Sequence, residues 1–177
     1  MACPLECEYL REARKREKGG VGRPDPLPNL DIRVSEELLK SRQELLESMV
    51  RALVQTALLT EGVADLDVRD ALAALIRTYR TLATGLQYET RPENRLALGL
   101  YSAMQQAVAA FRGGEAERLD MRRTRDSEVL ALLVFIQHFE FGTNNGRPRG
   151  RACLDALREY YGVPPRAAPP SASPLLA

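Results

Sequence analysis

Residues 126–142, D-S-E-V-L-A-L-L-V-F-I-Q-H-F-E-F-G, decide the fold. Val129 to Ile136 is apolar at every position, so the segment has no face to offer water and belongs in the middle of a domain. A buried strand has that length too. Leu and Ala dominate the run, however, and its polar flanks carry the segment well beyond strand length, so it reads as a central buried helix.

Working outward, the neighbouring segments carry helical spacing. Ser35, with Glu36 and Glu37 behind it, is an N-cap and first turn, and Leu46, Val50, Leu53 and Ala57 continue that helix to about Thr60. Asp67 caps the next, where Val68, Leu72, Leu75, Tyr79, Leu82 and Leu86 form a narrow seam at steps of four and three. Thr90-Arg91-Pro92-Glu93 reads as a capping box with proline in the first turn; its helix shows Leu96, Leu100, Ala103 and Ala107 and ends at Gly113-Gly114. The last helix runs from Gly150 or Arg151 to Tyr161 through Leu154 and Leu157. Short connections make the consecutive middle helices antiparallel neighbours.

The resulting expectation is an all-α protein, an antiparallel helical bundle of four to five main helices with a tethered N-terminal helix. Residues 1–18 read as a charged helix with a thin apolar line through Leu5, Tyr9 and Ala13. Residues 19–34, holding Pro24, Pro26 and Pro28, read as an extended linker. The bundle is expected over 35–161, and the proline-rich residues 162–177 as a disordered tail.

Composition narrows function by exclusion. The chain has 177 residues, 45% hydrophobic and 28% charged, with a net charge of +1, so no global field recruits nucleic acid or membrane and an ionic partner must meet a local patch. Of 25 basic residues only Lys15, Lys18 and Lys40 are lysine, a bias that fits a GC-rich, bacterial-like composition. There is no signal-peptide core and no window apolar enough to span a bilayer. Three cysteines argue against a disulfide framework. A cytoplasmic location without membrane partners is the expectation.

The stretch after the central helix, Gly142 to Arg151, is G-T-N-N-G-R-P-R-G-R. It gathers Arg147, Arg149 and Arg151 at a helix start, where the positive end of the dipole disfavours cations. Gly146-Arg147-Pro148 resembles the core of an AT-hook, but Asn145 stands where an arginine is expected and the segment is pinned between helices. Asn144 and Asn145 instead favour a sharp turn. Arg122, Arg123 and Arg125 repeat the arrangement before the central helix. Backbone N–H groups plus guanidinium groups form an anion-binding candidate at each place. The alternative is pairing within the fold: Arg151 with Asp155, Asp155 with Arg158, and Arg125 with Asp126 or Glu128.

Cys3 and Cys7, one helical turn apart, are candidates for half a zinc site or a reactive thiol pair. Cys153 and His138 are the remaining soft ligands. His138 is expected at the edge of the core, donating to a backbone carbonyl. No P-loop, dinucleotide fingerprint or H-E-x-x-H motif is present. The function expected is non-catalytic binding of an anionic macromolecule, nucleic acid or acidic protein, through Arg147, Arg149, Arg151, Arg122, Arg123, Arg125, Asn144 and Asn145, with no resident cofactor. The alternatives are a zinc or thiol-redox protein using Cys3 and Cys7, and a small enzyme acting on a phosphorylated metabolite.

Overall fold

In chain order the helices are α1 (Glu36–Ser41), α2 (Gln43–Leu59), α3 (Asp65–Ala83), α4 (Arg95–Glu117), α5 (Asp126–Thr143) and α6 (Ala152–Tyr160). The computed structural model describes residues 27–117 and 123–163, and no strand occurs among them. The expected N-terminal helix with Cys3 and Cys7, linker residues 19–26, Arg122, and the tail from Pro164 onward lie outside the described residues.

The all-α bundle is as the periodicity requires, and α5 runs through its middle. Val129 to Val134, Ile136, Gln137 and Glu140 are all buried. Around it, Leu45, Met49 and Leu53 of α2, Leu72 and Leu75 of α3, and Leu100 and Met104 of α4 are fully buried, each such side chain stabilising the fold by about 1.5–3 kcal/mol.

The packing order differs from the expected one. The two extensive pairings are α3 with α5 and α2 with α4, elements two apart in the chain, with α3 also against α4. Arg69 of α3 reaches Glu140 near the end of α5, while Tyr79 feels Asp126 at its start, so α3 and α5 are antiparallel. Arg42, just ahead of α2, meets Glu115 near the end of α4, so that pair is antiparallel as well. By contrast, α3 and α4 run in the same sense.

The loop between α3 and α4 explains the parallel pair. α3 ends one residue after Leu82, at Ala83, because Gly85 takes φ +83, and Gly85 N–H donates to Leu82 O at 2.9 Å while Leu86 N–H donates to Thr81 O at 3.0 Å. That Schellman stop leaves Leu86 exposed rather than in the seam. The chain then travels back along α3. Thr78 Oγ1 accepts from Thr90 N–H at 2.9 Å and donates to Thr90 O at 3.1 Å. Farther along, Asn94 Nδ2 donates to Asp67 Oδ1 at 2.5 Å. Thr90 is thereby consumed by α3, and Asn94 caps α4 instead, accepting from Leu96 N–H at 2.9 Å. α4 continues through Gly113-Gly114 to Glu117, which brings the Glu115 carboxylate into the interior.

Both ends of the expected bundle extend further. Asn29 Nδ2 donates to Gln137 Oε1 at 2.6 Å and Arg80 donates to Asn29 Oδ1 at 2.8 Å. Ile32 and Val34 pack on the core. Residues 27–34 are therefore a strap on α3 and α5 rather than free linker. At the other end Val163 is buried and donates to Arg158 O at 3.0 Å beyond Gly162, closing α6 with a second Schellman turn.

Candidate functional site

The segment after α5 folds into a loop fixed by its own polar groups. Asn144 Oδ1 accepts from Gly146 N–H at 2.8 Å, and Asn145 Oδ1 from Arg147 N–H at 3.1 Å. Asn144 Nδ2 reaches back to Glu140 Oε1 at 2.6 Å, and Gly150 N–H closes the turn on Arg147 O at 2.9 Å. A Cβ on Gly150 would stand 2.6 Å from Asn145 Oδ1 and 3.1 Å from Arg147 O, so a side chain there would push Asn145 Oδ1 away from the Arg147 N–H that it accepts from. The two asparagines are scaffold residues of the turn.

On this scaffold Arg147 and Arg149 are exposed and Arg151 is partly buried. Among the described residues none of the three forms an ion pair, and the expected Arg151–Asp155 and Asp155–Arg158 pairs are not formed. Other arginines do pair: Arg42, Arg69, Arg80, Arg91 and Arg112 each meet a carboxylate.

The N-terminus of α6 holds an internal anion. Asp65, fully buried at the start of α3, accepts from Cys153 N–H at 3.1 Å and Leu154 N–H at 3.2 Å. Asp65 N–H in turn donates to Gly150 O at 2.8 Å. The carboxylate occupies the N–H groups that sequence reasoning had reserved for an outside ligand. The guanidinium groups of Arg147 and Arg149 take no part in this cap.

The second cluster has the same construction. At the start of α5, Glu115 accepts from Thr124 N–H at 2.9 Å and Thr124 Oγ1 at 2.7 Å, and Glu128 accepts from Arg125 N–H at 2.8 Å. The guanidinium of Arg42 lies between these acids, 2.9 Å from Glu115 and 3.2 Å from Glu128. Asp126 pairs with Arg112 at 2.7 Å. The acids expected to neutralise Arg125 are thus taken by Arg42 and Arg112, distant in sequence. Arg123 and Arg125 stay exposed without an ion pair among the described residues. They border a cleft of about 480 Å³ with Arg112, whose Nε is buried without a hydrogen-bond partner.

The soft ligands do not converge in the described residues. Cys153 is buried, and burial pushes its thiol up to about 12. His138 Nε2 lies 2.8 Å from Pro28 O, and because a carbonyl only accepts, Nε2 carries the proton. This is the core-edge role expected for it. Among the described residues no group of three His, Cys, Asp or Glu side chains could hold a metal ion, and no helix is long and apolar enough to cross a membrane. Tyr101, buried, has its hydroxyl within 2.9 Å of Glu89 and Gln105, and burial raises its phenol to about 12.

Fold and site define an all-α bundle with Arg123 and Arg125 before its central helix and Arg147 and Arg149 after it, exposed and without ion pairs among the described residues. Comparisons with protein-family models, curated proteins and solved structures give no match to this chain.

Proposed function

We propose that the protein is a non-catalytic binding module for an extended anionic macromolecule, contacted by Arg147 and Arg149 with Arg123 and Arg125 as a second point of attachment. The observation that carries this reading is the exposure of Arg147 and Arg149, without ion pairs among the described residues, on a loop braced by Asn144, Asn145 and Gly150. A braced loop loses little conformational freedom on binding, and guanidinium groups engage phosphate or carboxylate bidentately. The two clusters flank an 18-residue helix, a separation of about 27 Å at 1.5 Å per residue. One small anion cannot bridge that distance, whereas a nucleic acid or an acidic protein face can.

The test is binding of labelled duplex and single-stranded nucleic acid, and of an acidic polypeptide, across a salt series. Wild type is expected to bind with an affinity that falls linearly on a log–log salt plot. The Arg147→Glu/Arg149→Glu double variant should bind at least about tenfold more weakly, with unchanged melting. No binding to any of the three probes at low salt, or binding indifferent to the double reversal, sinks the reading. A lowered melting temperature would show that these arginines pair within the fold after all.

A further inference from the structure

The loop that carries Arg147 and Arg149 also holds the chain's one Asn-Gly step, Asn145-Gly146. Asn29, Asn94 and Asn144 precede Leu30, Arg95 and Asn145, residues whose side chains hinder attack by their own peptide nitrogen. The turn takes Gly146 at φ +71, a conformation that suits glycine. The same missing side chain leaves Gly146 N open to the amide of Asn145.

The fold acts on that pair in both directions. Asn145 Oδ1 accepts from Arg147 N–H at 3.1 Å, which folds the side-chain amide forward over its own peptide. It also puts a donor where negative charge would gather on Oδ1 during attack at Cγ. Arg147 and Arg149 are exposed on the same loop, and nearby cations favour the ionised form of an acid as weak as an amide N–H. Asn145 and Gly146 are exposed as well, so water reaches them. Against this, Asn144 Oδ1 accepts from Gly146 N–H at 2.8 Å and holds the proton that must leave. The other asparagines are engaged elsewhere: Asn29 with Gln137 and Arg80, Asn94 with Asp67 and Leu96 N–H, and Asn144 with Glu140.

We propose that Asn145 is a site of spontaneous covalent modification that adds a carboxylate to the arginine loop. Gly146 N gives up its proton and attacks Asn145 Cγ. The N–Cγ bond forms, the Cγ–Nδ2 bond breaks, and Nδ2 leaves with the proton as ammonia. Water then opens the cyclic imide. Addition at Cγ breaks the new N–Cγ bond and yields aspartate; addition at the main-chain carbonyl breaks the original peptide bond and yields isoaspartate. Water enters and ammonia leaves, with no change of oxidation state. Either product sets a negative charge beside Arg147 and Arg149. Isoaspartate also lengthens the backbone by a carbon, which takes the Arg147 N–H and Gly150 N–H bonds of the turn out of register. A weaker grip on an anionic partner follows only if the function proposed above holds; the chemistry at Asn145 does not depend on it.

Peptide mapping by mass spectrometry of the folded full-length protein, incubated in heavy-oxygen water at neutral and mildly alkaline pH, tests the proposal. Asn145 should convert to labelled aspartate and isoaspartate ahead of Asn29, Asn94 and Asn144, and faster at the higher pH. Asn144→Ala frees the Gly146 N–H and should speed the conversion about two- to tenfold, the effect of one hydrogen bond. Conversion confined to urea-unfolded protein overturns the inference. So does its absence from the folded protein while a synthetic peptide of residues 142–151 converts, and an unchanged rate in Asn144→Ala removes the restraint assigned to Asn144. The converted fraction, separated by ion exchange, should bind duplex nucleic acid about fivefold more weakly near physiological salt, the loss of one neutralised phosphate. Equal binding by the two fractions refutes that consequence. Conversion in a protein that binds no polyanion refutes the function proposed above and leaves the site standing.

Discussion

Replacing Asp65 by alanine removes the acceptor for two backbone N–H groups at the start of α6. Asp65 is fully buried, and Cys153 and Leu154 donate to its two oxygens at 3.1 and 3.2 Å. Water does not reach the vacated positions without opening the packing of α6 on α3, so both donors are left unsatisfied at about 1–3 kcal/mol each. Loss of a helix N-cap alone costs about 0.5–2 kcal/mol. These are two views of one loss, and together they set the expected destabilisation at about 3 kcal/mol. For a chain of this size that is a fall in melting temperature of about 6–12 °C. Asp65→Asn keeps the shape and one accepting oxygen but turns an NH2 toward the other amide N–H and loses the charge facing the helix dipole, and should cost about 2 kcal/mol. Urea unfolding of the three proteins at neutral pH, with hydrogen exchange at Cys153 and Leu154, measures both quantities. A loss below about 1 kcal/mol for Asp65→Ala, or unchanged exchange at those two amides, would show that Asp65 is not what holds α6 in place.

The Arg42–Glu115–Glu128 cluster should behave as a buried ion pair. Arg42→Ala removes the guanidinium that lies 2.9 Å from Glu115, whose side chain is only 5% exposed, and is expected to lower unfolding stability by about 3–5 kcal/mol in urea titrations; a change under about 1 kcal/mol would place the cluster among weak surface pairs. Alkaline pH gives a third prediction. Burial raises Cys153 from 9.0 to about 12 and Tyr101 from 10.0 to about 12, so the folded state holds both protons more tightly than the unfolded chain does. Their contribution is full below about pH 9 and is lost as pH rises toward 12, each group adding a slope of up to about 1.4 kcal/mol per pH unit. Urea midpoints between pH 8 and 11.5 should fall accordingly, with the Tyr101 part of the slope absent in Tyr101→Phe; a flat profile contradicts the burial of both groups.

The helices were legible where a local signal had no competitor. The run from Val129 to Ile136, the Ser35 cap with its 3.2 Å bond from Leu38 N–H, and the seam Val68, Leu72, Leu75, Tyr79 all stand in the structure as their spacing requires. Errors arose where a local motif lost to a distant group. Thr90 has the side chain for a capping box, but Thr78 takes both its backbone groups. Gly113-Gly114 reads as a stop, yet the helix passes through because the next turn delivers Glu115 to Arg42. The antiparallel order of consecutive helices rested on loop length alone, and residues 84–94 are long enough to run back beside α3. Gly85 carried a usable signal for that turn, as glycine shortly after a periodic stretch marks a helix end. No spacing pattern could have pointed to Asp65 as the cap of α6, because the two are 88 residues apart.

That long-range cap resolves the oddity of arginines crowded at helix starts. Cations there are opposed by the dipole by about 0.3–1 kcal/mol each, and an isolated helix would select against them. Here each positive terminus faces a carboxylate from elsewhere in the fold, Asp65 for α6 and Glu115 for α5, the latter joined by Glu128 of α5's own first turn. Those acids satisfy the N–H groups and offset the terminal field. They are also already engaged, by backbone donors in the first case and by Arg42 in the second, so they do not draw in Arg147, Arg149, Arg123 or Arg125. The same acids that make the arginines tolerable leave them without ion pairs among the described residues, so their charge is directed outward. Substituting Asp65 therefore reports on stability, and reversing Arg147 and Arg149 reports on binding, with little crossover between the two.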